Sequence, residues 1–87
     1  MYIKDLLSQI LEKAIVLGLD EYDSSNAKDF LANHEFELCL DTIVTQVYEY
    51  EIKIDNKFYD LVLDTSNKMK LKPERYNYLN STIYGIH

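Results

Sequence analysis

The chain has 87 residues, 47% of them apolar, and a formal net charge of −6 from 15 acidic and 9 basic residues. At this length residues 1–87 form one domain that buries roughly 60–65% of its unfolded surface, which disfavours a deep substrate cavity, while the apolar share is too high for a disordered chain. The acidic balance disfavours direct nucleic-acid binding and adhesion to an anionic membrane, because both need a basic face.

Only two glycines and one proline are present, so long helices are expected rather than many strands and turns. In residues 2–17, Ile3, Leu6, Leu7, Ile10, Leu11, Ala14 and Leu17 recur at spacings of three and four, the helical period, and Gly18 stands where a helix stops. Ile15 and Val16 widen this stripe, so that end is expected to be buried on several sides. Asp20 to Asp23 read as an acidic loop. Asp23 or Ser24 then caps a second helix over about 24–32, with Ala27, Phe30 and Leu31 inward. Asn33 and His34 make a turn, with Asn33 suited to the left-handed conformation that ends a helix.

The third helix is expected over about 35–50. Phe36, Cys39, Leu40, Ile43, Val44, Val47 and Tyr50 share one arc, and Leu38, Thr42, Thr45 and Glu49 lie opposite. Glu37, Asp41 and Tyr48 stand side by side on its flank. Residues 51–54 alternate polar and apolar and read as an extended connector anchored by Ile52 and Ile54. Asp55 caps a fourth helix over about 56–69, with Phe58, Tyr59, Val62, Thr65, Ser66 and Met69 inward. Pro73 suits the first turn of a fifth helix whose inward positions are Tyr76, Leu79, Ile83 and Ile86. The sum is an all-α, compact bundle of four to five helices.

No motif for catalysis stands out. His34 and His87 are the only histidines and do not make a zinc ligand set with the single Cys39. Cys39 lies on an apolar arc and reads as a core thiol. The pairs Glu37/Asp41 and Asp60/Asp64 are one helical turn apart, which describes a solvated face better than an acid–base couple in a cleft. Neither a glycine-rich phosphate loop nor a complete EF-hand loop is present, and no cofactor or metal is expected. Absence of a leader-like segment and of roughly 18 consecutive apolar residues points to a cytoplasmic protein. Exposed tyrosine among carboxylates is the composition of a protein-binding face, and Tyr22 and Tyr48 fit either that role or incidental exposure.

The segment from Phe30 to Leu71 resembles the small helical immunity proteins of bacterial toxin–immunity systems, of the MafI type and the contact-dependent growth-inhibition (CDI) type. The likeness lies in a short helix ending before Glu35–Leu40, which has the form E-[FY]-x-L-x-L, then a long helix, an I-x-I-x connector at Ile52–Asp55 and an aromatic-bearing helix. It implies a cognate toxin domain as partner, basic and often a nuclease, held by occlusion of its active site. On that basis Glu35, Glu37, Asp41, Glu49 and Glu51 stand in for phosphates, with Tyr48 or Leu38 as an anchor. Charge reversal at Glu37 and Asp41 is then expected to weaken toxin binding with little loss of folding stability. Two other classes fit the same residues: a non-catalytic helical adaptor, and a small acidic mimic of DNA.

Overall fold

The computed structural model describes residues 2–83, apart from the side chain of Pro73. Within them the chain forms α1 (Ile3–Leu17), α2 (Glu21–Ala32), α3 (Phe36–Glu49) and α4 (Asn56–Lys68), then two 3₁₀ turns, Pro73–Arg75 and Asn77–Thr82. The all-α bundle is as expected.

α3 lies at the centre of the core. Cys39, Leu40, Ile43, Val44 and Val47 are completely buried, facing Leu7, Ile10 and Ala14 of α1, Ala27 and Leu31 of α2, and Phe58 and Val62 of α4 in one apolar cluster. Helices one and three are therefore set by the three–four spacing of their apolar residues. The expectation for the end of α1 fails. Ile15 is 39% and Val16 is 86% exposed, because successive residues step about 100° around the helix and these two pass beyond the arc that Ala14 closes. Tyr50 is likewise exposed rather than inward, since α3 stops at Glu49 and Tyr50 is its C-cap.

α2 begins at Glu21, so the acidic loop is in fact its first turn. Asp20 is the cap, its carboxylate accepting the Asp23 amide at 2.8 Å. The acidic residues suit the positive end of the helix dipole. Asp55 caps α4 in the same way, accepting the Phe58 amide at 2.7 Å. Phe58, Val62, Thr65 and Ser66 are buried as expected, with Tyr59 and Met69 half-buried.

All four helices close with one device. The amide of Leu19 donates to the Ala14 carbonyl, Glu35 to Phe30, Ile52 to Val47 and Leu71 to Ser66, at 2.8–3.0 Å. Each bond spans a residue of positive φ: Gly18 at 128°, His34 at 60°, Glu51 at 52° and Lys70 at 62°. This is the Schellman closure, which satisfies otherwise unpaired helix carbonyls. His34, and not Asn33, takes the left-handed conformation. Asn33 keeps φ at −92° and donates its side-chain amide to the Asp29 carbonyl at 2.9 Å.

The connector after α3 pairs with the segment that follows the second 3₁₀ turn. The Ile54 amide donates to the Thr82 carbonyl at 3.1 Å in a single parallel bridge between Ile54 and Ile83. The fifth element is not an α-helix. Tyr76, Leu79 and Thr82 are buried at a spacing of three, the 3₁₀ period, and Ile83 is buried beside them. Asn77, Asn80, Ser81 and Thr82 are poor helix formers, and so short a segment cannot repay α-helix nucleation. Ile86, Tyr84 and His87 lie outside the described residues.

Candidate functional site

Positions 37, 41, 45 and 48 follow one another on one flank of α3, spaced by three and four. Residues 73–83 run against that flank. The Arg75 guanidinium donates through Nη1 to Glu37 Oε2 at 2.9 Å and through Nη2 to Asp41 Oδ2 at 2.6 Å. The Tyr76 hydroxyl donates to the second oxygen of Asp41. The Tyr76 ring lies 5.5 Å from the guanidinium carbon. Farther along, the ring of Tyr78 meets Tyr48 edge-on, with centroids 4.7 Å apart and planes at 85°.

The electrostatics follow from these contacts. Hydrogen bonding to Glu37, with the negative charge of Asp41 beside it, raises the Arg75 pKa above its ordinary value and keeps the group charged. Burial and the hydrogen bond to Asp41 push the Tyr76 phenol far up, so it remains a donor. Burial also raises Tyr78. Desolvation pushes the Cys39 thiol up to about 11, as suits a core residue rather than a nucleophile.

The sequence-derived binding residues therefore divide into groups. Glu37 and Asp41 already hold a cation from their own chain. Asp41 is also half-buried and ties α3 to the C-terminal segment. The expectation that its charge can be reversed at little cost to folding is corrected on that ground. Glu35, Glu49 and Glu51 are exposed and, among the described residues, in no ion pair. Leu38 is 48% and Tyr48 is 42% exposed on the same helix. Tyr22 is exposed too, but on the first turn of α2, and shares no polar or ring contact with this set among the described residues.

Glu49 and Glu51 sit at the C-terminal end of α3, whose last turn has no basic residue. The helix dipole is negative there, so the two carboxylates add to a negative end rather than offset it. With Tyr48, Lys53, Ser81 and Thr82 they line an open depression of about 320 Å³. The depression is lined mainly by polar groups, two carboxylates and the Lys53 ammonium among them, and can receive a cationic or hydrogen-bonding side chain. Sequence reasoning missed Arg75. Its signal was composition: it is the only arginine in a chain with 15 acidic residues, and a planar fork is the natural partner of paired carboxylates.

No protein-family model, curated protein or solved structure matches the chain.

Proposed function

We propose that the protein is an immunity protein that binds a cognate bacterial toxin domain, a basic nuclease acting on RNA or DNA, and neutralises it by covering its active site without performing a reaction itself. One observation carries this reading: α3 and its ends expose Leu38 and Tyr48 among the carboxylates of Glu35, Glu49 and Glu51, which form no ion pair among the described residues. Large apolar side chains between like charges make a surface that complements a cleft built for phosphates. The resemblance of residues 30–71 to small helical immunity proteins points the same way, as does the net charge of −6. Leu38, Tyr48 and Glu49 are carried on a helix whose inner side is fully packed, and Glu35 and Glu51 flank its two ends, so little ordering is needed on binding.

The test is co-expression. A basic toxin domain, sought first among the products of neighbouring genes, should be found whose producing cells survive when this protein is present, and the two should co-purify. Leu38→Asp combined with Glu49→Arg should abolish both effects while leaving the unfolding midpoint unchanged. Death of the cells in the presence of the intact protein would refute the reading.

A further inference from the structure

α1 carries more apolar surface than the bundle uses. Its inward arc closes with Ala14, yet Ile15 and Val16 continue the apolar run. Val16 is the most exposed large apolar side chain among the described residues, at 86%. A helix end that is apolar on several sides is built to be covered on several sides, and its own fold covers only one.

The surplus lies beside a groove. Val16 and Leu17 of α1 meet Asp55 and Phe58 at the start of α4, and with Glu12 and Lys13 they line an open, mainly apolar depression of about 370 Å³. Phe58 is buried and Leu17 half-buried, whereas Glu12, Lys13 and Asp55 are exposed. Asp55 is fixed at the mouth because its carboxylate caps α4 through the Phe58 amide. The groove brings together two corners of the chain, the link between α1 and α2 and the connector between α3 and α4. Of the four large apolar side chains more than half exposed among the described residues, Val16, Tyr22 and Tyr50 belong to these corners. Exposed apolar side chains gathered at one end and rimmed by charge mark a contact surface.

Charge decides what fits there. Segments 12–23 and 49–58 hold seven acidic and three basic residues, and so carry −4 of the chain's formal −6. An anionic membrane or a nucleic acid meets repulsion at this end. So does a second copy, because a two-fold contact would set the same carboxylates against one another. A cationic protein segment is attracted. We propose that the groove between the end of α1 and the start of α4 is a docking site for a basic, amphipathic segment of a partner protein. One apolar side chain of that segment sits between Val16 and Phe58, and its flanking lysines or arginines face Glu12 and Asp55. The groove shares no lining residue with the α3 face and does not depend on the immunity reading.

The probe is a short synthetic peptide of lysine and leucine, added to the unaltered protein while its backbone amides are followed by NMR. The amides of Val16, Leu17 and residues 55–58 are expected to shift together, with one affinity. Val16→Ser removes two methyl groups from the contact and should weaken that affinity about tenfold, with the unfolding midpoint unchanged. Glu12→Lys should weaken it at low salt, and the loss should shrink as salt is added. Leu38→Asp, on α3, should leave the groove shifts in place. Peptides with the leucines replaced by serine, or the lysines by glutamate, should not produce them. Groove amides that stay still, that shift as strongly with the glutamate peptide, or that respond unchanged in Val16→Ser and Glu12→Lys would overturn the proposal. So would a dimer in sedimentation that Val16→Ser dissociates, which assigns the groove to a second copy. Pelleting with phosphatidylglycerol vesicles that the same variant abolishes would assign it to a membrane and overturn the proposal as well.

Discussion

At the scale of single residues, the most consequential side chain is Asp41. It holds Arg75 through one oxygen and Tyr76 through the other, and truncating it leaves the buried phenol without that acceptor and the guanidinium with Glu37 alone. Asp41→Ala should lower stability by about 1–2 kcal/mol. Glu37→Ala, on the open side of the same guanidinium, should cost no more than about 1 kcal/mol. Urea denaturation followed by circular dichroism separates the two. Asp23 is the other residue with an energetic signature. It is 5% exposed, and its Oδ2 has no hydrogen-bond partner among the described residues. Burial, then the nearby Asp20 carboxylate, raises its pKa, although its place in the first turn of α2 favours the charged form. The folded chain thus keeps this proton to higher pH than the unfolded chain does. Ionised Asp23 opposes folding above its folded pKa, and the opposition fades as pH falls through that value. Asp23→Asn should therefore raise the unfolding midpoint at neutral pH and lose that advantage in acid, as melts across a pH series would show.

At the scale of elements, the helix ends are where sequence and structure part company. The interior of each helix could be read from its apolar period, because packing of that stripe is what holds the helix. The ends depend on competition between neighbouring groups. Asp20, Asp23 and Ser24 are all competent caps, and only Asp20 takes the role, because Asp23 and Ser24 turn inward. The left-handed closures at His34, Glu51 and Lys70 were hidden because none is a glycine. Such a residue costs roughly 1 kcal/mol against glycine in the same conformation. Lys70→Gly should accordingly stabilise the protein by about 1 kcal/mol, measured as a higher urea midpoint at unchanged slope. The inward positions Tyr76, Leu79 and Ile83 were legible, but the 3₁₀ geometry was not. A spacing of three followed by four is the α-helical pattern, and the buried Thr82 that completes the 3₁₀ spacing carries no apolar signal.

At the scale of the whole molecule, much of the candidate face was visible in the sequence as acid and tyrosine on one long helix. Its internal neutralisation was not, because Arg75 lies 34 residues from Asp41 and pairing at that distance is set by the fold rather than by local pattern. What remains open to a partner is Glu35, Leu38, Tyr48, Glu49 and Glu51 on α3 and its flanks, a stiff acidic surface around two apolar anchors. The most direct measurement is the association rate of the purified protein with whichever basic toxin domain it is found to neutralise, taken at low and high salt. Glu35→Arg with Glu49→Arg should slow association roughly tenfold at low salt, with the difference shrinking as salt screens it. An association rate unaffected by either the charge reversals or the salt, with the toxin still neutralised, would contradict an acidic α3 as the surface that captures it.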